Sequence, residues 1–478
     1  MDQAEKRPVL ALLASDWLSL LGAGLVTTAF FSWLFVIPLH LRGQVSIPYV
    51  GILDFFVIPA ILALGLILIP IGIYRARKKV RQGLLGVIDR RVYLRRIAIF
   101  FAAATAVNLV FGTQVTYRAV QQMETVQFCG QTCHVMKPEF TAHQNAPHAR
   151  VECVECHVAP GAEGWFKSKM AGTRQLVGVI LDNYKRPIES AMESNRLVPS
   201  AETCEECHWP EKFDSARLRY IPQYADDESN TKTVTLLMML IGGGLKGGIH
   251  GAHVGQGIEI RYAAADAKRQ TIPWVEYRNS HTGNAKTFLA DGSNSDAVSK
   301  LPTYRMQCVD CHNRASHSFG LPEREVNRAL ALGDLPVTLP YIKKKSVELL
   351  KATYSSNEEA SQKIPAALTQ FYRENYPAVY GQRGADIASA GLAVAGIYNR
   401  NVFPDLKVTW GTYPNNLGHT DYPGCFRCHD GSHSTANRAE SITQDCNTCH
   451  EPLAMEEAKP ELLKALGLAD QIAALQKQ

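Results

Sequence analysis

The sequence predicts a mainly α-helical protein with large irregular regions, in which a three-helix transmembrane head precedes a larger body. Three observations predict this fold. Residues 1–120 carry thirteen Lys/Arg, five Asp/Glu and three long runs without formal charge. The residues after 120 carry thirty-seven Lys/Arg, forty Asp/Glu and all twelve cysteines, which fall into six regularly spaced pairs. The length of 478 residues is enough for roughly three domains of ordinary size.

The head contains three segments long enough to cross a bilayer, which takes about 20 apolar residues. They are residues 17–41, residues 55–74 (starting near Tyr49, with Asp54 inside the segment) and residues 97–117. A cleaved signal peptide is the alternative for the first segment. Its apolar run is longer than a typical signal core, however, and no small-residue cleavage site follows it. We therefore expect a retained three-span anchor over residues 1–120.

The charges of the loops orient this anchor. Residues 75–96 carry nine Lys/Arg, whereas the loop between the first two segments carries only Arg42. Because positively charged loops stay in the cytoplasm, we expect a cytoplasmic N-terminus and a body outside, after Arg118. In a bacterium this describes a three-pass inner-membrane protein with a periplasmic body. The basic charge lies in the head and the body is mildly acidic, which argues against a nucleic-acid partner.

A histidine follows each cysteine pair directly. Five pairs have the form Cys-x-x-Cys-His, the attachment signature of c-type haem, and the first pair has three intervening residues. Structural zinc and disulfides also use paired cysteines, but neither requires a histidine after every pair. We therefore predict six covalent haems c. The attachment residues are Cys129, Cys133, Cys153, Cys156, Cys204, Cys207, Cys308, Cys311, Cys425, Cys428, Cys446 and Cys449. The proximal iron ligands are His134, His157, His208, His312, His429 and His450.

Nine further histidines lie outside these motifs, one of them (His40) in the head. The eight in the body are enough to give most irons a sixth ligand, and saturated irons suit electron transfer rather than substrate reduction. One sequence does not pair these histidines with individual haems. The candidates are His143, His148, His250, His253, His281, His317, His419 and His433.

Residues 127–322 resemble the NapC/NirT/NrfH family of membrane-anchored, quinol-oxidising multihaem cytochromes. The resemblance rests on Cys133-His134-Val-Met136, on Cys153–His157 followed by Val-Ala-Pro160, on the basic segment 167–174 and on Cys308-Val-Asp-Cys311-His312-Asn-Arg-Ala-Ser-His317. The motif at 424–431 is similar to larger inner-membrane relatives of metal-respiring and anaerobically respiring bacteria. The chain departs from the family in its three spans, its longer first motif, about 70 extra residues before the fourth motif, and two further haems.

The resemblance also implies roles for individual residues. In the family the first haem adjoins the quinol pocket, and a methionine two residues after its motif histidine is an axial ligand. Met136 takes that position here, with His134 as the alternative. The family places a lysine and a carboxylate in the same pocket, for which Lys169 and Asp182 are the candidates.

Two ionisable residues of the head are further quinol-site candidates. Asp54 and His40 lie near the expected outer ends of the second and first spans, where a base could take a proton from quinol. Pairing of Asp54 with Arg42 at headgroup depth is the structural alternative for Asp54.

Beyond the head we expect three further parts. They are a four-haem domain at 121–322 with an insertion at about 220–300, a haem-free helical segment at 323–400, and a two-haem segment at 401–478. Alternating strand-like patterns are confined to 258–262 and 274–277, beside a glycine-rich turn at 242–248. The last 26 residues, 453–478, are expected to form an amphipathic helical tail.

These expectations favour a quinol dehydrogenase of anaerobic respiration. Menaquinol, or another quinol, would be oxidised at the periplasmic face, and electrons would pass through the haems to a periplasmic acceptor protein. Because the body is acidic, we expect that acceptor to be a cytochrome with a basic surface. A passive relay subunit of a larger respiratory complex is the alternative. A terminal oxyanion reductase fits less well, and homo-oligomerisation stays open.

Overall fold

The computed structural model describes residues 12–13, 15–41, 58–82, 90–194, 196–213, 216–243 and 247–468. The chain forms two compact units, Met1–Phe128 and Cys129–Gln478. About half of the described chain is helical. The mainly helical prediction holds only in part, because the second unit also contains two β-sheets.

The first unit contains three long helices among its described residues: α1 (Trp17–Leu41), α2 (Ile58–Arg81) and α3 (Arg90–Glu124). Helix α2 and the Ile97–Glu124 part of α3 are long and apolar enough to cross a membrane. In α1 the apolar stretch whose side chains are described is shorter, Trp17–Ser32, so the three-span arrangement stays a prediction. Asp54 and the side chain of His40 lie outside the described residues.

Helices α1 and α2 pack closely because small residues face each other. A Cβ on Gly22 would meet the Gly65 carbonyl oxygen at 2.7 Å, and a Cβ on Gly72 would meet the Ser19 backbone nitrogen at 2.4 Å. Such small residues let backbones approach in membrane helix pairs. At one end of this pair the buried Asp16 carboxylate accepts a hydrogen bond from Lys79 at 3.4 Å, which joins the start of α1 to the basic end of α2.

Short helical elements dominate the start of the second unit. They are α4 (Val126–Gln131, which begins in the first unit), the 3₁₀ turn His134–Met136, α5 (Lys137–Gln144), α6 (Cys153–His157), α7 (Gly161–Ile180) and the 3₁₀ turns Ser200–Glu202, Cys204–Glu206 and Pro210–Lys212. Strands and short helices follow: β1 (Arg217–Tyr224), β2 (Lys232–Met239), α8 (Gly248–Val254), β3 (Ile258–Ala263), β4 (Trp274–Asn279), β5 (Asn284–Ala290), α9 (Ser295–Val298), β6 (Thr303–Arg305) and α10 (Cys308–Cys311).

Four helices then build their own apolar core. They are α11 (Pro322–Leu332), α12 (Ile342–Lys351), α13 (Asn357–Asn375) and α14 (Pro377–Asn401). Leu350, Ile364, Leu368 and Ile387 are fully buried in this core, and Tyr224 of β1 packs into it. The last described elements are the 3₁₀ turns Pro404–Leu406, Gly424–Arg427 and Cys446–Thr448, the strands β7 (His433–Ser434) and β8 (His450–Glu457), and α15 (Glu461–Ala465).

Both sheets are antiparallel and join distant segments. One has the order β1-β2-β8 and the other β6-β3-β4-β5-β7. The prediction that strand-like sequence is confined to 258–262 and 274–277 is wrong, and so is the helical prediction for 453–457. Strand β8 contains Pro452 and several glutamates, so its own sequence is a weak strand signal. Its structure depends on pairing with β2, where Ala454 lies opposite the buried Leu236.

Asn230 connects the β1–β2 turn to the four-helix core. Its buried side-chain amide donates to the carbonyls of Val337 and Leu339, both at 2.9 Å, and its oxygen accepts from the backbone N–H of Lys343 at 3.0 Å. The residue also adopts a left-handed conformation, with φ of 50°, which asparagine tolerates better than most residues.

We predict that Asn230→Ala destabilises the second unit by about 3 kcal/mol, because it leaves buried backbone groups without partners. Thermal unfolding followed by circular dichroism measures this loss. Asn230→Gly removes the same bonds without backbone strain and should be slightly more stable than the alanine variant, by about 1 kcal/mol. Asn284→Ala, at an exposed position, is the matched control. An unchanged unfolding temperature for Asn230→Ala would contradict the prediction.

Candidate haem sites

The last five Cys-x-x-Cys-His motifs each occupy a single helical turn. They lie on α6, α10 and the 3₁₀ turns Cys204–Glu206, Gly424–Arg427 and Cys446–Thr448. Residues three apart lie on one side of a helical turn, so each pair of thiols faces the same way. The turn is closed by the motif histidine in several cases: His208 N–H donates to the Cys204 carbonyl at 2.8 Å, and His312 N–H donates to Cys308 at 2.8 Å.

None of the twelve cysteines, all of which the structure describes, forms a disulfide, and attachment to haem vinyl groups requires thiols. Structural zinc would need about four clustered ligands. Among the described residues, no group of three or more His, Cys, Asp or Glu side chains is placed to hold a metal ion. Two thiols followed directly by a histidine are the groups that haem c attachment uses.

Five of the six motif histidines face a second histidine across a nearly constant distance. The ring centroids are 6.1 Å apart for His157 and His317, 5.9 Å for His208 and His148, 6.2 Å for His312 and His250, 5.8 Å for His429 and His253, and 6.1 Å for His450 and His419. A metal-bound imidazole nitrogen lies about 2 Å from the metal and the ring centre roughly 1 Å further, so two imidazoles on one iron have centroids about 6 Å apart. These five pairs therefore have the spacing of bis-histidine ligation.

Hydrogen bonds at Nδ1 orient four of these ten histidines. His148 Nδ1 lies 3.4 Å from the Ala315 carbonyl, His253 Nδ1 lies 2.7 Å from Ile249, His317 Nδ1 lies 3.1 Å from Glu139, and His429 Nδ1 lies 2.7 Å from Thr443. A carbonyl can only accept, so Nδ1 carries the proton in each ring. Nε2 then carries the lone pair that a metal needs.

The remaining body histidines point their nitrogens elsewhere. His143 Nε2 lies 3.1 Å from the Val151 carbonyl, and His281 Nε2 lies 3.0 Å from Gln256. His433 is buried, with Nδ1 2.9 Å from Asp430 and Nε2 2.7 Å from the Ile272 carbonyl. The structure therefore sorts the eight candidates into two groups. Five face a motif histidine, and three of these, His148, His253 and His317, also have Nδ1 bonded and Nε2 available. The other three bond backbone carbonyls through Nε2.

His317 and His157 share a buried environment with Glu139 and Arg314. Burial lowers the pKa of His317 to about 4 and also lowers the pKa of His157, so both rings are neutral, the form that binds iron. Burial raises the pKa of Glu139. The positive charge of Arg314, whose guanidinium lies 3.4 Å from the carboxylate, opposes this rise. The Glu139 carbonyl and carboxylate both face His317 Nδ1 and fix the orientation of that ring.

The first motif has different surroundings. Cys129 lies in α4 and Cys133 just after it, and His134 Nε2 is 3.3 Å from the Tyr184 hydroxyl rather than facing a second histidine. Met136 ends the 3₁₀ turn that His134 begins. Arg186 donates to the same hydroxyl at 2.7 Å and stacks 4.1 Å from the Tyr184 ring.

The structure brings one of the two predicted pocket residues of the body close to this motif. A hydrogen bond from Cys153 lowers the pKa of the Cys129 thiol to about 7. The positive charge of Lys169, on α7, contributes to this lowering. Asp182 is exposed and forms an ion pair with Arg186, which links it to Tyr184 and His134 only indirectly.

The six motifs are neighbours in the order in which they occur along the chain. Cys153 donates to Cys129, and Cys308 donates to Cys204 and lowers its pKa to about 5. The other neighbours are close enough to affect each other electrostatically: Cys156 with Cys204 and Cys207, Cys311 with Cys425, Cys428 with Cys311, and Cys449 with Cys425. The four-helix segment between the fourth and fifth motifs therefore does not keep them apart.

A buried network fixes the fourth motif against the fifth. Asp310, inside the fourth motif, pairs with Arg269 at 3.0 Å and accepts from the Tyr262 hydroxyl. Arg427, inside the fifth motif, donates to the Asp310 carbonyl at 2.7 Å and to the Arg269 carbonyl at 2.9 Å. Burial and the Asp310 charge raise the pKa of Tyr262, so its hydroxyl stays a donor.

Comparisons with known proteins agree with this geometry. The NapC/NirT cytochrome c family, N-terminal region, matches residues 92–220. The cytochrome c-type protein ImcH of Geobacter sulfurreducens is 40% identical over 448 residues, which cover 91% of this chain and 87% of that relative. The chain belongs to the NapC/NirT cytochrome c family. No solved structure matches the chain.

Membership of the NapC/NirT family confirms the resemblance seen in the sequence. It makes the chain a membrane-anchored, electron-transfer cytochrome with covalently bound haem c. The geometry then adds what the motifs alone could not, a specific facing histidine for five of the motifs. These pairs join residues that are far apart in the sequence, so the spacing of residues in one sequence does not predict them.

We predict that His419→Met raises the midpoint potential of one haem, because methionine in place of histidine stabilises ferrous iron. The shift should be on the order of 0.1 V, within the roughly 0.8 V range that axial ligands set. An anaerobic redox titration measures it, and intact mass checks that all haems are attached. His281→Met is the matched control and should leave every potential unchanged. If the haem potentials of the His419→Met and His281→Met variants are the same, His419 is not an iron ligand.

Proposed function

We propose that this cytochrome oxidises menaquinol, or another quinol, at the periplasmic face of the bacterial inner membrane. Electrons then pass through six haems c to periplasmic acceptor proteins in anaerobic respiration. The observation that carries the proposal is the unbroken series of neighbouring motif thiols from Cys129 to Cys449, which are hydrogen-bonded at two steps and close enough to affect each other electrostatically at the others. It begins five residues after the apolar helix α3 ends at Glu124 and extends through the whole second unit.

In this proposal each haem, when bound, accepts and donates one electron. The chain's own residues attach the haems through the twelve cysteines and ligate five irons through the facing histidine pairs. Since five of the six motif histidines have a partner, saturated irons dominate, which supports electron transfer over reduction of a small oxyanion. The first site takes Met136 or His134 as its axial ligand and is the place for quinol chemistry.

The quinol site in the proposal lies beside the first motif. Lys169 acts electrostatically on Cys129, so its ammonium is close enough to orient a quinol oxygen. Tyr184, held by Arg186 2.7 Å away, faces His134 and offers a second polar contact. Oxidation of quinol releases two electrons and two protons, and the proton acceptors proposed from the sequence are Asp182, Asp54 and His40.

The topology in the proposal has three spans and a cytoplasmic N-terminus. The nine Lys/Arg of residues 75–96 support this orientation. The contact of Asp16 with Lys79 and Arg75 also supports it, since it places the start of α1 at the basic end of α2. All haem motifs then lie in the periplasm.

We predict that Lys169→Gln slows haem reduction by a menaquinol analogue about tenfold, the equivalent of about 1.4 kcal/mol of lost stabilisation. Anaerobic stopped-flow spectroscopy of the holoprotein in nanodiscs measures the rate. Lys167→Gln is the matched control, because Lys167 lies on the same helix and is paired with Glu163 at 2.6 Å. A wild-type protein that quinol cannot reduce, but a chemical reductant can, would identify a passive relay and refute the proposal.

The acceptor in the proposal is a cytochrome with a basic surface, because residues 121–478 carry a net charge of −3 before the haem propionates are added. We predict that electron transfer to such an acceptor slows as ionic strength rises, since salt screens charge attraction. Stopped-flow mixing at several salt concentrations measures the effect. Oxidation by an uncharged dye should not change with salt. A rate to the protein acceptor that is independent of salt would contradict the predicted charge complementarity.

A further inference from the structure

The four-helix segment contains a cavity of about 320 Å³. Three aromatic and three charged side chains line it: Tyr341, Phe371, Tyr376, Lys344, Lys345 and Glu348. Cavities that bind small molecules measure roughly 300 to 1,000 Å³ and combine apolar walls with a few polar groups. This cavity lies at the small end of that range, so it suits a molecule of one or two rings.

The aromatic walls of the cavity are tied to one another and to the rest of the body. Tyr341 has a left-handed backbone conformation, with φ of 54°, and its N–H donates to the Glu228 carbonyl at 3.2 Å. The Phe371 and Tyr376 rings have their centroids 5.9 Å apart. The Lys345 ammonium, on α12, lies 5.5 Å from the Phe371 centroid on α13, which joins the two sides by a cation–π contact.

Lys344 gives the cavity its charge. The neighbouring Lys345 pairs with Glu348 at 2.7 Å, so these two charges offset each other. Lys344 is exposed, and its ammonium lies 5.8 Å from the Tyr341 ring centroid. Within the part of the chain that the structure describes, no carboxylate forms an ion pair with Lys344. The cavity therefore offers one positive charge without a counter-ion, beside aromatic walls.

The sheet beside the cavity shows that the sixth haem is attached elsewhere. Glu228, which bonds Tyr341, lies in the turn between β1 and β2. His450 of the sixth motif is paired with Met239 at the other end of β2, seven residues from Lys232. Seven residues of strand span about 23 Å. The sixth motif is therefore remote from the turn that adjoins the cavity.

Helix α14 gives the same result for the fourth motif. It begins just after Tyr376 and, beyond a kink, continues to Asn401 over about 25 Å. There the Asn401 side chain accepts from the Gly320 N–H at 2.7 Å, three residues after His317. The cavity lies at the opposite end of α14, and residues 313–424 contain no cysteine. Covalently attached haem is therefore not its occupant.

We propose that the cavity binds a small aromatic carboxylate, with its ring among Tyr341, Phe371 and Tyr376 and its carboxylate on the Lys344 ammonium. A planar ring packs favourably against aromatic side chains, stacked or edge to face. One ammonium without a counter-ion balances the single charge of a carboxylate, whereas a phosphate carries more charge and is typically held by several donors. The claim concerns ligand binding alone and holds whether or not the chain oxidises quinol.

Isothermal titration calorimetry of the holoprotein in nanodiscs, with naphthoate as the probe, tests the proposal. Empty nanodiscs correct for partition into lipid. Lys344→Gln removes the charge of the cavity. Lys351→Gln is the matched control, because it removes an equal charge from an exposed position about two turns further along the same side of α12. Intact mass, haem spectrum and unfolding temperature verify that each variant is folded and fully loaded with haem.

Two analogues of the probe separate its charge from its aromatic ring. Naphthamide keeps the ring without the charge, and decalin carboxylate keeps the charge on a saturated ring. We expect each of them to bind the wild-type protein about tenfold more weakly than naphthoate, because each loses one of the two contacts.

We expect the wild-type protein to bind naphthoate in a one-to-one ratio, and Lys344→Gln to bind it about tenfold more weakly, because a hydrogen bond between charged groups is lost. Lys351→Gln should bind naphthoate as the wild type does. Absence of saturable binding to the wild type, or an equal effect of the two lysine substitutions, would overturn the proposal. Naphthamide or decalin carboxylate that binds as tightly as naphthoate would also overturn it, because the charge or the aromatic ring would then play no part.

Discussion

Two imidazole rings about 6 Å apart are the constraint on which the second unit depends. Five of the six motifs supply one ring each, and the other comes from a distant segment: His148 lies opposite His208, His250 opposite His312, and His419 opposite His450. Helix α8 carries two of these rings, and its position depends on a close approach of glycines. A Cβ on Gly242 would meet the Gly247 carbonyl oxygen at 2.0 Å, and both glycines have positive φ. The glycine-rich turn is therefore required by packing.

The sheets and the four-helix core act as supports for these rings. The five-stranded sheet positions Tyr262 and its loop positions Arg269, and together they hold Asp310 in the fourth motif. Arg427 extends the same network into the fifth motif. Buried ion pairs are costly to assemble and strongly destabilising when one partner is removed. Their placement between two motifs fixes a relative position on which electron transfer depends.

Local features of this structure could be predicted from the sequence, whereas contacts between distant segments could not. The motifs, the apolar helices and the helices of the cysteine-free segment follow from spacing and composition within a window of residues. The ring pairs do not, because His317 reaches His157 only through the packing of Glu139 and Arg314. The sequence-based prediction for β8 is wrong for the same reason, because this segment with its glutamates and Pro452 forms a strand only by pairing with β2. His433 looked like a ligand by its position after the fifth motif, but Asp430 and Ile272 occupy both of its nitrogens.

The direction of the ring pairs along the chain has a consequence for assembly. For the third to sixth motifs, the facing histidine precedes the motif: His148, His250, His253 and His419 all come earlier in the chain than the cysteines of the motifs that they face. In the proposed topology, in which the body is exported from its N-terminal end, the facing histidine of each of these motifs is therefore already present when its haem is attached. The second motif alone must wait, because His317 follows the fourth motif. Maturation of the second haem is therefore tied to synthesis of the first two-thirds of the protein, and a truncated chain would leave that iron incomplete.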